Sequence, residues 1–256
     1  LEAREILSRL GHVDVEVSGS NPLRGASWVL VPGDAFYGAG LVDAAAAAAA
    51  EANCKVALAL ASFEIVRSCG TEMEALLRSG RVSAVFANED EARELTKYAE
   101  TSLKTKTKTR ADDEKLFLDV KVATDSRTIK SDDSSPETAA DRALDVLARW
   151  SPACVAVVTL GDKGCVAARG ECFRNERGGT SERVACEAFE EIVAKDSTGA
   201  GDLFVSGFLY GLLRGAPLGE CAELGCLAGA AATQSVGAEV SDEGWAWVRD
   251  RRPLLL

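Results

Sequence analysis

Short apolar segments alternate along this chain with longer stretches of helical periodicity, and this alternation restricts the fold more than any other feature. The predicted strands cover 27–31, 55–61, 82–87, 154–160, 165–169 and 188–194. The predicted helices cover 44–50, 64–78, 89–99, 135–150, 203–214 and 218–235. Nearly continuous apolar strands separated by helices are typical of a parallel sheet buried on both faces. The sequence therefore predicts an α/β fold with a mostly parallel sheet and helices on both faces, formed by residues 1–256 as a single unit.

Charge and composition exclude several classes of function. The 256 residues carry a net charge of −11, and the pI is about 4.8. An acidic chain is a poor general partner for nucleic acids or anionic membranes, whose binders need a basic surface. No apolar run approaches the roughly 20 residues that a membrane span requires. His12 is the only histidine, which argues against paired-histidine metal sites and Ser-His-Asp catalysis.

The cysteines suggest a reducing environment. None of the eight forms a Cys-x-x-Cys motif, and the chain is much larger than the small secreted domains that depend on disulfides. Most have apolar neighbours, so buried, reduced thiols are favoured over a disulfide framework. We therefore expect a cytoplasmic location or the interior of an organelle. Because the chain begins with Leu1 rather than Met, we expect a fragment, in which a targeting peptide cannot be assessed.

Residues 100–134 interrupt the alternation. This stretch contains Lys104-Thr-Lys-Thr-Lys108 and Ser131-Asp-Asp-Ser-Ser135 and has few apolar residues that could offset the entropy of ordering. We expect most of it to be a disordered surface insertion. Its basic half could instead be a docking patch.

The segment Asp196–Asp202 carries the strongest chemical signal. Gly199, Ala200 and Gly201 precede an apolar helix, so backbone amides and the positive end of the helix dipole can face a single anion. Asp202 stands beside this cradle, where its carboxylate could accept a proton from an attacking hydroxyl. The alternative is an ordinary glycine-rich turn that begins a helix, because short glycine motifs are weak evidence.

Two further segments follow predicted strands. Asn88-Glu-Asp-Glu91 follows the strand at 82–87, and Thr159-Leu-Gly161-Asp-Lys-Gly164 follows the strand at 154–160. Carboxyl ends of parallel strands share one edge of a sheet, so the three segments should converge there. Each also has an ordinary interpretation: residues 89–91 as a solvated acidic first turn, and residues 159–164 as a hairpin turn.

Together these segments resemble the motifs of the ribokinase (PfkB) family of carbohydrate and nucleoside kinases. Residues 196–202 resemble its signature Asp-Thr-x-Gly-Ala-Gly-Asp, with Ser at the second place. Residues 88–91 resemble its Asn-x-x-Glu motif, and residues 159–164 its Thr-Leu-Gly-x-x-Gly loop. Ala228–Ala232, followed by Ser235-Val-Gly237-Ala238, resembles the adenine side of the nucleotide site. The motifs occur in the family's order over about 28–247.

The resemblance implies a ribokinase-like fold and transfer of the γ-phosphoryl group of ATP to a hydroxyl of a sugar or nucleoside. Asp202 would be the catalytic base, and Gly199, Ala200 and Gly201 the anion hole. Mg²⁺ and, in some members, a monovalent cation such as K⁺ would assist. The nucleotide would contact Asn88, Thr159, Leu160, Gly161, Gly164, Gln234 and Gly237; Mg²⁺ would involve Asn88 and Glu91; the monovalent cation would involve Asp196 and Thr198.

The acceptor half of the family pattern is not evident. Nothing before Trp28 resembles the Gly-Gly signature or the β lid that closes over the acceptor, so we expect a core truncated at its N-terminus and lacking the lid. Two hypotheses follow: a kinase acting on a small-molecule sugar or nucleoside, or a non-catalytic, kinase-like assembly or regulatory module without an acceptor site. An oligomer is compatible with both.

Overall fold

The computed structural model describes residues 21–113, 136–169, 182–189 and 192–251. His12, Cys172 and the part of the predicted insertion from residue 114 to residue 134 lie outside the described residues.

Within these described ranges, six strands form one sheet in the order in which they occur along the chain. The first four pair in parallel, whereas the last two are antiparallel to their neighbours. The mostly parallel sheet predicted from the sequence is therefore confirmed. The strands are β1 (Trp28–Pro32), β2 (Lys55–Ala59), β3 (Val82–Asn88), β4 (Val155–Thr159), β5 (Cys165–Arg169) and β6 (Glu182–Cys186).

Helices connect and cover the strands. Short 3-10 turns at Gly33–Tyr37 and Gly161–Lys163 follow β1 and β4. The helices are α1 (Leu41–Glu51), α2 (Phe63–Ser68), α3 (Gly70–Arg78), α4 (Glu89–Asp113), α5 (Pro136–Trp150), α6 (Ala200–Leu213), α7 (Leu218–Thr233) and α8 (Asp242–Arg251). None of the described helices combines the length and apolar character of a membrane span.

Side chains alternate between two buried layers, one on each face of the sheet. In β4, Ala156 and Val158 pack in the layer with α1 to α5, whereas Val155 and Val157 pack in the layer with α6 and α7. The strands are thus apolar on both faces because each face is covered by helices. This arrangement leaves the carboxyl ends of β3 and β4 as a common edge near the N-terminus of α6.

Helix α4 extends beyond its predicted end at residue 99. It continues to Asp113, so the expectation that the disordered insertion begins at residue 100 is wrong for 100–113. Elongating an existing helix adds one hydrogen bond for each residue fixed, and the Lys, Arg, Glu and Ala residues in this stretch are good helix formers.

The strand predicted at 188–194 is also wrong for its described residues. The sixth strand ends at Cys186, and residues 187–189 and 192–194 are irregular. The apolar residues of this segment are not buried in the sheet. Phe189 and Ile192 line a cleft, and Val193 is 83% exposed. Consequently the segment before Gly199 does not leave the sheet as the end of a parallel strand.

Two smaller differences concern helices. The helix predicted at 64–78 is divided at Cys69, whose φ of −116° and ψ of 20° depart from helical values. Helix α8 was not among the predicted helices, although its first turn is acidic and its last turn basic, a charge pattern that favours helix ends.

Candidate active site

The ends of β3 and β4 bring two of the predicted motifs together. Asn88 and Thr159 are direct partners in the parallel ladder, and the Thr159 hydroxyl donates to the Ala87 carbonyl at 3.4 Å. The turn after Thr159 is fixed by Gly164, whose φ is +93° and whose missing Cβ would lie 2.0 Å from the Cys186 carbonyl oxygen. Only glycine allows this close crossing of two backbones.

The N-terminus of α6 forms the other side of the site. Gly199 is the N-cap residue with φ +77°, and no side chain caps the helix. Within the described residues, the amides of Gly199, Gly201 and Asp202 have no backbone acceptor, whereas the Ala200 amide donates to the Ser197 carbonyl at 3.1 Å. Free amides at a helix N-terminus attract anions.

These two sides enclose a cleft of about 450 Å³. Five predicted residues line it: Thr159, Gly161, Gly164, Ala200 and Gly201. The remaining lining residues are Asp162, Ala188, Phe189, Ile192, Ala194, Ser197, Phe204, Cys226, Gly229, Ala230 and Thr233. The convergence of residues 159–164 with residues 199–201, predicted from the motif positions, is present in the structure.

Asp202 lies in the first turn of α6, next to the cleft-lining Gly201, and its side chain is exposed. Its backbone carbonyl accepts the Ser206 hydroxyl at 2.8 Å. Asp202 is not itself among the residues that line the cleft. Its role as the proton acceptor for an incoming hydroxyl stays a prediction.

Asn88 and Glu91 bind each other rather than facing the cleft. The Asn88 backbone amide and Nδ2 donate to the two Glu91 carboxylate oxygens at 2.9 and 2.8 Å, and the Glu91 amide donates back to Asn88 Oδ1 at 2.9 Å. This reciprocal arrangement is a capping box at the start of α4. Glu91 is only 4% exposed, and burial raises its pKa to about 7, although the Asn88 amide opposes the shift.

The Mg²⁺ assignment to Asn88 and Glu91 fits this geometry poorly. Each Glu91 oxygen already accepts one hydrogen bond from Asn88, the side chain is buried, and a carboxyl group with a pKa of about 7 is a weaker ligand for a hard cation than an ordinary carboxylate. Within the described residues, no group of three or more His, Cys, Asp or Glu side chains is arranged to hold a metal ion. A cation at Glu91 would have to reach a buried carboxyl group that already accepts two hydrogen bonds.

Asp196 and Thr198, predicted as ligands for a monovalent cation, are bound to each other and to a distant loop. Asp196 Oδ1 accepts the Thr198 amide at 3.0 Å and hydroxyl at 2.8 Å, and Oδ2 accepts the Gly237 amide at 2.9 Å. These bonds, led by that from Gly237, lower the pKa of Asp196. Asp196 thus ties the segment before α6 to the segment after α7.

The other residues expected at the nucleotide do not line the cleft. Leu160 is buried, Gly237 contributes its amide to Asp196, and Gln234 lies just beyond the end of α7. Within the described residues, Gln234 Nε2 is buried without a hydrogen-bond partner.

Sequence reasoning missed the apolar wall of the cleft. Phe189, Ile192 and Phe204 supply its large side chains, and Gly229 brings α7 close to α6. A Cβ on Gly229 would lie 3.0 Å from the Ala200 carbonyl oxygen. The small residues of α7 were a usable signal for such close helix packing, whereas Phe189 and Ile192 resembled strand residues.

Comparison with known proteins shows which family part of this chain resembles. Residues 127–244 match the profile described as pfkB family carbohydrate kinase. Over this part of the chain, the sequence is similar to the PfkB family. Its fold is ribokinase-like, as the sequence predicted.

Individual relatives agree with this similarity. Over 54 residues the chain is 50% identical to the acarbose 7(IV)-phosphotransferase of an Actinoplanes species, covering 21% of this chain and 18% of that protein. A probable sugar kinase from Rhizobium etli superposes with a TM-score of 0.63 at 26% identity, over 90% of this chain and 55% of that chain. An adenosine kinase from Sinorhizobium meliloti superposes with the same TM-score at 27% identity, over 89% of this chain and 55% of that chain. The chain spans about half the length of these solved structures.

Proposed function

We propose that this chain carries the nucleotide-binding and catalytic part of an ATP-dependent kinase that phosphorylates a hydroxyl group of a sugar or nucleoside. The observation that carries the proposal is the cleft of about 450 Å³ between the turn after β4 and the open N-terminus of α6. A cleft of this size, with an apolar wall and free amides at one end, suits a nucleotide.

The residues fit the phosphate groups. The amides of Gly201 and Asp202 lack backbone partners within the described residues, and a Cβ on Gly201 would have no heavy atom within 4 Å. Open space and free donors therefore coincide at the positive end of α6. Gly199, Ala200 and Gly201 would hold the phosphate that is transferred and stabilise its developing charge.

The apolar wall fits the base. Phe189, Ile192 and Phe204 offer flat or branched surfaces, while Gly229 and Ala230 leave room between helix and turn. Burial of an aromatic base against such side chains is favourable because it removes apolar surface from water.

Asp202 would act on the acceptor. It would orient the attacking hydroxyl by hydrogen bonding and accept its proton as the new P–O bond forms, with the chain's amides positioning the phosphoryl group in line. Bound Mg-ATP would supply the phosphoryl group. Since Glu91 is buried and hydrogen-bonded to Asn88, Mg²⁺ would be held chiefly by the nucleotide phosphates and water.

The names of the relatives support two classes of acceptor. One relative is an acarbose phosphotransferase and one structural neighbour is an adenosine kinase, so both carbohydrate and nucleoside hydroxyls belong in the test. A sugar is the first choice, because the family profile is that of carbohydrate kinases.

Two measurements on the purified protein test the proposal. Calorimetric titration with a non-hydrolysable ATP analogue and Mg²⁺ should give one saturable site per chain. ADP formation from Mg-ATP should then increase when acarbose, fructose or adenosine is added. If the protein bound nucleotide but none of the three acceptors increased ADP formation, the non-catalytic module would be favoured. Absence of nucleotide binding would overturn the proposal.

A further inference from the structure

Three cysteines meet beside the cleft. Cys165 begins β5 and is the direct antiparallel partner of Cys186, which ends β6. Both belong to the layer that packs against α6 and α7. Cys226, on α7, joins them there and also lines the cleft.

Cys226 and Cys165 are in direct contact. Their sulfur atoms lie 3.8 Å apart, and Cys226 donates its thiol hydrogen to Cys165. A disulfide bond is about 2.05 Å long, so the two atoms must approach by slightly less than 2 Å to form one. Cys165 is 1% exposed and Cys226 is 7% exposed, which leaves the cleft as the approach for a small reagent.

We propose that Cys226 and Cys165 form an oxidisable thiol pair in the cleft wall, with Cys226 the site attacked by a small peroxide. The Cys226 sulfur attacks one peroxide oxygen, the O–O bond breaks, and Cys226 becomes a sulfenic acid with release of water. The Cys165 sulfur then attacks the Cys226 sulfur, and hydroxide leaves and takes up the Cys165 proton as a second water. Two thiols and one hydrogen peroxide thus yield one disulfide and two waters.

Burial determines the order of these steps. Hydrogen peroxide is close to water in size and can reach a thiol on the cleft wall, whereas Cys165 can react only with a neighbour. The hydrogen bond to Cys165 and burial raise the pKa of Cys226, while a hydrogen bond from Cys186 lowers it. The thiol is therefore mostly protonated at neutral pH, and the pair should respond to sustained rather than trace peroxide.

Formation of the disulfide would alter the cleft. Drawing Cys226 toward β5 moves a residue one turn before Gly229 and Ala230, which line the same cleft. We expect nucleotide affinity to fall several-fold in the oxidised protein. This consequence rests on the proposed function, whereas formation of the bond does not.

The decisive experiment maps the bond in the unaltered protein. After treatment with excess hydrogen peroxide and alkylation of remaining thiols, tryptic peptides 164–169 and 215–249 should appear as one disulfide-linked species that dithiothreitol separates. Fragmentation should assign the bond to Cys226 rather than Cys221. Alkylated Cys165 and Cys226 after complete treatment, or a bond between other cysteines, would overturn the proposal whether or not nucleotide binds.

Two variants separate the steps. In Cys165→Ser, Cys226 should stop at the sulfenic acid and be labelled by dimedone. In Cys221→Ser, the matched control on the same helix, the bond to Cys165 should still form. Saturating ATP analogue should slow oxidation of the unaltered protein. Bond formation at the same rate with bound nucleotide would contradict access through the cleft, and unlabelled Cys226 in Cys165→Ser would contradict its attack on peroxide.

Discussion

Asp196 Oδ2 accepts the backbone amide of Gly237 at 2.9 Å and so joins two loops that are 41 residues apart in sequence. Next to this bond, Gly199 packs so closely on Ala238 that a Cβ would lie 2.8 Å from the Ala238 Cβ. The loop after α7 therefore holds the N-terminus of α6 in place. Because the pKa of Asp196 lies below its usual value of 3.8, the bond contributes above about pH 4 and is lost as the pH falls through the lowered pKa.

Asp196→Ala should loosen both loops without unfolding the protein. The substitution removes the carboxylate that accepts hydrogen bonds from the Gly237 and Thr198 amides, so hydrogen exchange at these two amides should accelerate. Affinity for an ATP analogue should also fall several-fold. Exchange measured by NMR and calorimetric titration would check these effects.

Thr198→Val provides the matched control for that change. It removes the hydroxyl bond to Asp196 but keeps both backbone amide bonds, so Gly237 should stay protected. Equal exchange rates at Gly237 in Asp196→Ala and the unaltered protein would disprove the role given to the carboxylate.

Two glycine substitutions should separate folding from binding. Gly199→Ala places a Cβ at φ +77° and against Ala238, so it should destabilise the fold by about 1–3 kcal/mol. The Cβ that Gly201→Ala adds would have no heavy atom within 4 Å, so this substitution should leave stability unchanged. The added methyl group should nevertheless reduce nucleotide affinity roughly tenfold, about 1.4 kcal/mol.

Urea unfolding and nucleotide titration of the two variants provide the measurements. If Gly201→Ala bound nucleotide as tightly as the unaltered protein, the phosphates would not lie at the N-terminus of α6. If Gly199→Ala were as stable as the unaltered protein, the close contact with Ala238 would be incorrect.

Glu91 should make stability depend on pH between 5 and 7. Burial raises its pKa from 4.5 to about 7, so the folded protein holds a proton that the unfolded chain has lost. Stability should therefore fall as the pH rises through this range, by roughly 2–3 kcal/mol, and level off above it. Urea unfolding at pH 5, 6, 7 and 8 should show that decline, and Glu91→Gln should lack it.

Glu94→Gln, on the same helix, is the control. The ion pair with Arg67 lowers the pKa of Glu94, so its titration lies below pH 5 and this variant should keep the decline between pH 5 and 7. Parallel pH profiles for Glu91→Gln and the unaltered protein would exclude Glu91 as the source.

The sequence was sufficient to predict β1 to β5 and the meeting of the motifs at 88–91 and 159–164, but it placed the sixth strand at 188–194 instead of Glu182–Cys186. Strands β2 to β4 are apolar on both faces, which is typical of parallel strands covered by helices. Thr159 ends β4 just before two glycines, and in a parallel sheet the motif residues at the ends of neighbouring strands lie at the same edge. Their apolar character has one physical cause, burial between two layers of helices. The sequence alone is therefore enough to identify these strands.

Contacts between distant segments could not be predicted in this way. The bond from Gly237 to Asp196 and the packing of Ala238 on Gly199 depend on where α7 ends in space. Likewise, Phe189 and Ile192 have strand-like composition but line a cleft, because apolar side chains serve binding surfaces as well as sheets. Asn88 and Glu91 were correctly associated, but the spacing that suggests a metal site also forms a capping box.

The most direct test of the central claim is phosphoryl transfer by Asp202→Asn. Asparagine keeps the size and the exposed position but cannot accept the proton of the acceptor hydroxyl. Acceptor-dependent ADP formation should fall by about 10²–10⁴-fold, while calorimetric affinity for the ATP analogue and the melting temperature stay close to those of the unaltered protein. Undiminished turnover by a folded Asp202→Asn would contradict the account.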